Sequence, residues 1–102
     1  MSALHNALAE YVAIRRALGA QLHEPARTLG HFVDFLEREG AGFITSALAV
    51  RWAREPSGVE PATWARRLGM VRRFAVWQSA SDPRTEVPPK GLIRARRRRK
   101  TP

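Results

Sequence analysis

The 102-residue chain contains no cysteine. That excludes disulfide staples and thiolate metal sites and fits a reducing cytoplasm. No apolar run approaches the roughly 20 residues of a membrane span, and the N-terminus lacks a basic stretch followed by an apolar one. The expectation is a soluble, cytoplasmic protein with no membrane partner. Catalytic signatures are missing as well: there is no G-x-x-x-x-G-K-[ST] cradle, no H-E-x-x-H and no G-x-S-x-G elbow. His5, His23 and His31 are scattered without metal spacing, and the single tyrosine, Tyr11, falls on an apolar helix face where a core role outweighs a nucleophilic one. The expected chain is therefore not an enzyme by itself, with no catalytic or metal residues, no cofactor and no small-molecule substrate.

Acid is scarce in the second half. Residues 1–60 hold 6 Lys+Arg against 7 Asp+Glu, whereas residues 61–102 hold 12 against 2, so the net charge of +9 is carried entirely by the C-terminal part. Such a dense cationic surface seeks a polyanion, most often nucleic acid. The basic residues form two groups: the doublets Arg66-Arg67 and Arg72-Arg73, and the run Arg94, Arg96, Arg97, Arg98, Arg99, Lys100.

Proline, glycine and Ser/Thr punctuation divides residues 1–81 into four segments with helical periodicity and almost no strand-like alternation, so the body reads all-α. A domain of this size buries roughly 60–65% of its unfolded surface. Large side chains must dominate its core, and Trp52, Trp64, Trp77, Phe32, Phe35, Phe43 and Phe74 are the candidates.

The first segment, 3–18, lines up Leu4, Leu8, Tyr11, Val12 and Leu18 and stops at Gly19. Arg15 lies inside that stripe; it is read as a side chain paired with a carboxylate such as Asp34 in preference to a phosphate-reaching group. The second starts at Glu24-Pro25, runs to Glu39 before Gly40, and buries Leu29, Phe32, Val33 and Leu36, with Phe35 at the edge and His31 on the surface. The third opens with Thr45 as N-cap and continues through Leu48 and Trp52 to Glu55-Pro56.

The fourth, Pro61 to Ser79, places Trp64, Leu68, Val71 and Ala75 on one face with Phe74 at its edge. Arg66 and Arg73 stand opposite, Arg72 flanks the stripe, and Arg67 lies within it, where only its stem can be buried. No acid occurs between Pro61 and Ser81, so the arginines are expected to need an external anion to offset their repulsion. From residue 82 on, Pro83, Pro88 and Pro89 forbid regular structure and the arginine run repels itself. The expectation is a tail that is disordered alone and ordered only against an anionic surface. As a pattern, the string fits a nuclear-localisation signal equally well.

The succession L-H-N-A-L-A-E-Y-V-A-I-R-R-A-L-G (4–19), L-G-H-F-V-D-F-L-E-R-E-G (29–40), I-T (44–45), W-A (52–53) and W-A-R-R-L-G-M-V-R-R-F-A-V-W (64–77) resembles the N-terminal core-binding domain of tyrosine recombinases, the phage-integrase and Xer-like family. The stretch D-P-R-T-E-V-P-P-K-G-L-I (82–93) is similar to the connector that such proteins place before their catalytic domain. The resemblance implies a four- to five-helix, SAM-like bundle over 1–81 with an extended basic C-terminal connector over 82–102. It also implies one half of a clamp around double-stranded DNA. The contacts it implies are Arg66, Arg72 and Arg73 on the fourth helix and Arg27 on the second, with Lys90, Arg94, Arg96, Arg97, Arg98, Arg99 and Lys100 on phosphates. The family's catalytic residues lie downstream of the connector, so by resemblance the chain is a binding module without its catalytic half, a monomer when free that meets other recombinase protomers on DNA.

Two readings stand against this one: a small basic RNA-binding or ribosome-associated protein whose tail does the binding, and a helical interaction domain whose arginines meet an acidic protein.

Overall fold

The computed structural model describes residues 2–21 and 23–93. Four helices occur among them: α1 (Ala3–Ala17), α2 (His23–Arg38), α3 (Ser46–Ala53) and α4 (Pro61–Ser79). No strand is present in the described residues, and the fold is an all-α bundle, as the periodicity predicts.

Local chemistry sets the helix ends. The Ser2 hydroxyl accepts from the His5 amide at 3.1 Å and starts α1, and the Thr45 hydroxyl accepts from the Leu48 amide at 3.2 Å and starts α3. Two helices end alike. Gly19 (φ 96°) donates to Arg16 O while Ala20 donates to Arg15 O; Gly40 (φ 72°) donates to Glu37 O while Ala41 donates to Leu36 O. Each pair satisfies the last carbonyls through a left-handed glycine that a residue with a Cβ would strain. Pro25 falls at the third residue of α2, still within the turn whose N–H groups have no helical partner. Pro61 opens α4 as its first residue.

The four helices enclose one core. α4 packs against all three others, α2 also packs on α1 and α3, and α1 and α3 do not touch each other. Phe32, Phe35, Phe74, Trp52, Leu29, Leu36, Ile44 and Val71 fill the centre. Tyr11 joins them as a core residue, its ring 5.2 Å from that of Phe74 and 5.5 Å from that of Trp77. Of the three tryptophans only Trp52 is fully enclosed. Trp64 and Trp77 are half-buried, and Trp64 Nε1 reaches the Pro56 carbonyl at 2.8 Å, which keeps its polar edge at the rim. Phe35, expected at an edge, is buried in the core cluster, with Arg38 and Arg51 over its ring at 6.0 and 5.4 Å.

Three expectations are corrected. Asp34 does not pair with Arg15: His5 Nε2 holds it at 2.8 Å, and Arg15 lies over the Tyr11 ring at 5.7 Å. The scattered histidines are not all isolated, because His5 Nδ1 also stands 3.1 Å from Glu37 Oε2, which ties α1 to α2. Residues 82–93 are not a free tail. Pro88 is fully buried, Val87 and Ile93 pack against the core, and Glu86 bonds twice to the start of α3, its amide to Ile44 O at 2.9 Å and its carboxylate from the Ser46 amide at 2.8 Å. A carboxylate there answers an unpaired N–H and the positive end of the helix dipole together. No described helix is long and apolar enough to cross a membrane.

Candidate nucleic-acid interface

The arginines of α4 have four different environments. Arg67 is structural: Nη2 donates to Trp52 O at 2.7 Å, Nε donates to Ala53 O at 3.2 Å, and the guanidinium stacks on the Trp52 ring 3.7 Å from its centroid. It thus closes the carbonyl end of α3 with a permanent cation. Burial lowers its pKa, and the nearby Glu55 carboxylate partly offsets this. Arg66 is ion-paired with Glu24 of α2, so the acid-free sequence of α4 does not make its face uncompensated. The expectation that all these arginines lack a carboxylate is corrected at this residue.

Arg72 and Arg73 remain. Neither has an ion-pair partner among the described residues, and Arg72 Nε is buried with nothing to donate to. Opposite them residues 82–93 bring Lys90 alongside α4. A cleft of about 210 Å³ separates the two, with Gly69, Arg72 and Arg73 on one wall, Lys90 on the other, and Leu68 and Ile93 supplying apolar surface. No carboxylate lines it among the described residues. Three of the residues expected to contact DNA, Arg72, Arg73 and Lys90, are thereby brought to one place.

The other expected contacts lie elsewhere. Arg27 is exposed on α2, three residues after Glu24, with no carboxylate partner among the described residues. Arg94, Arg96, Arg97, Arg98, Arg99 and Lys100 fall outside the described residues.

Arginines beside aromatic residues suggest nucleic-acid stacking in a sequence, but here most of the rings are already covered by the protein's own cations. Arg15 lies over Tyr11, Arg54 over Trp64, Arg67 over Trp52 and Arg84 over Phe43. Arg51 is also paired with Glu39 at 3.1 Å. The described Lys and Arg residues with neither a ring nor a carboxylate are Arg16, Arg27, Arg72, Arg73 and Lys90. Arg16, which the sequence reading did not single out, stands in the last turn of α1, where it complements the helix dipole.

Sequence reasoning also missed Gly69. A glycine inside a helix costs stability relative to alanine, and that cost is the signal of a close approach that could have drawn attention to it. The His5, Asp34 and Glu37 cluster was missed too. Its ligand-type atoms lie within 4.8 Å of one another, but each imidazole nitrogen already faces a carboxylate, so the group is occupied as the α1–α2 clasp.

No family model matches the chain, and no solved structure matches it. Among known proteins it is 46% identical over all 102 residues to a protein of Sinorhizobium fredii named "Putative integrase/recombinase y4rB", of which it spans 32%. Over 82 residues, 79% of the chain, it is 42% identical to 28% of a Cereibacter sphaeroides protein named release factor glutamine methyltransferase. The two names differ, so neither alone assigns an activity to the shared segment. What the comparisons establish is kinship along the whole chain with about a third of a protein named as an integrase/recombinase.

Proposed function

We propose that this chain is a DNA-binding segment of an integrase/recombinase-type protein, holding duplex DNA mainly by phosphate contacts. The observation that carries the reading is the convergence of Arg72, Arg73 and Lys90, without a partner acid, on one face of α4 and the connector. Cations that the fold leaves uncompensated gain most from a polyanion, because binding releases its condensed counterions without first breaking an internal ion pair. Arg27, exposed on α2 with no carboxylate partner among the described residues, is a further cation for DNA, and the basic residues from Arg94 to Lys100 add charge beyond the described chain.

In this reading residues 1–81 are a core-binding, SAM-like body of the tyrosine-recombinase kind, and 82–102 are its connector. The segment binds and positions DNA; cutting and rejoining belong to other parts of such a protein. The kinship with the rhizobial integrase/recombinase-named protein supports this assignment over the RNA-binding and protein-interaction alternatives.

The test is duplex binding measured by fluorescence anisotropy across a salt series. The variant Arg72→Ala/Arg73→Ala/Lys90→Ala is expected to flatten the slope of log K against log salt by roughly 2.7, about 0.9 per lost phosphate contact. An unchanged slope overturns this face as the interface, and tighter binding to an RNA duplex of the same sequence favours the RNA reading instead.

A further inference from the structure

We propose that the α4–connector cleft is a preformed pocket for a single phosphate group, with the backbone phosphate of a polynucleotide as its natural occupant. The inference rests on the DNA-binding reading for the occupant but not for the pocket itself, which four observations support.

The first is the unpaired Arg72 Nε, buried with no acceptor within reach. Buried N–H groups in proteins are nearly always satisfied, so Arg72, whose side chain lines the cleft, is short of an oxygen, and a small turn of its guanidinium toward an arriving oxyanion supplies one. The second is charge: Arg72, Arg73 and Lys90 surround the cleft, and no described carboxylate shares it. The third is Gly69. A Cβ built there meets nothing closer than Arg73 Nη1, at 3.7 Å, which is ordinary contact, so the protein's own packing does not require glycine. The missing side chain leaves space on the cleft wall, at the expense of helix stability.

The fourth is that the far wall is already in place. Glu86 fastens the connector to the first turn of α3, Pro88 is buried, and Ile93 packs on the core. Between Pro88 and Ile93 the chain turns at Gly91, whose φ of 83° suits glycine. Lys90 is carried by a segment anchored on both sides, so little backbone freedom is left to lose when the anion arrives. The apolar surface of Leu68 and Ile93 beside the three cations suits a sugar attached to the phosphate and favours a phosphodiester over a free ion.

The experiment is an NMR titration of the whole, isotopically labelled chain with inorganic phosphate, then with a mononucleotide, then with a short DNA duplex. Phosphate is expected to shift the Gly69, Lys90 and Gly91 amides and the Arg72 Nε–H together. Arg72→Met should weaken that binding roughly ten- to a hundredfold, the value of a hydrogen bond to a charged group. Gly69→Ala should weaken it while raising Tm by a few degrees, because alanine is the better helix former. A loss of folding cannot produce that combination.

Phosphate that shifts none of these signals, or that binds Gly69→Ala as tightly as the parent, overturns the pocket. Duplex binding that leaves these signals still also overturns it, while sparing the DNA-binding reading. Phosphate seated in the cleft with no duplex binding supports the pocket and overturns the polynucleotide as occupant, as does a mononucleotide that saturates it more tightly than a duplex.

Discussion

The guanidinium of Arg67 lies 3.7 Å from the centroid of the Trp52 ring and donates to the carbonyl of the same residue at 2.7 Å. One side chain of α4 thus covers the largest buried ring and the last turn of α3 together. Arg67→Met keeps the stem but loses both contacts, and should destabilise the fold by about 2–3 kcal/mol. Urea unfolding measures this, and the salt slope of duplex binding by the folded variant should stay that of the parent. A stable variant with a flattened slope would reassign Arg67 to the interface.

Arg66 and Arg73 stand on the same side of α4, yet only Arg66 has an acid, Glu24. Arg73→Ala is therefore expected to reduce the salt slope by about 0.9, and Arg66→Ala by less. Glu24→Gln should act in the opposite direction, freeing Arg66 and strengthening duplex binding. An anisotropy salt series on the three single variants checks the order.

Glu86 fastens residues 82–93 to the helical body together with the buried Pro88 and with Val87 and Ile93. Glu86→Ala leaves the Ser46 amide without its acceptor and removes a carboxylate from the positive end of α3, at a cost of about 0.5–2 kcal/mol. Hydrogen exchange should quicken at Ser46 and across residues 86–93 but not in the centre of α2. Unchanged protection at Ser46 would mean that the contact contributes nothing.

Arg84 donates to both carboxylate oxygens of Asp82, at 3.0 and 2.9 Å, and these bonds hold the Asp82 pKa below the ordinary carboxylate range. A depressed folded-state pKa stabilises the fold above the unfolded value, and that contribution is lost as pH falls through the folded one. Carbon-detected NMR should find Asp82 titrating at lower pH than an unpaired aspartate, and Arg84→Met should raise its midpoint. If Arg84→Met leaves the midpoint in place, the side-chain bonds are not the cause.

Much of the bundle was legible in the order of residues. The spacing of Leu4, Leu8, Tyr11 and Val12, the Thr45 cap, the stops at Gly19 and Gly40 and the Pro61 start are relations within a turn or two of helix, and the helices follow them, although Leu18, expected on the same stripe, lies past the end of α1 and is exposed. The expected free tail failed because prolines forbid helix and strand but not packing: Pro88 needs no ladder to be buried.

By itself the sequence determined the all-α class, most of the helix starts and stops and the excess of positive charge in the C-terminal part, since periodicity, capping and composition are local properties. Only the tertiary structure decided which cations stay available. Glu24 and Arg66 are 42 residues apart, Ser46 and Glu86 40, and His5 and Asp34 29. Contacts at such separations exist only once the helices are packed, and that packing consumes Arg66 and Arg67 and sets Arg72, Arg73 and Lys90 around one cleft.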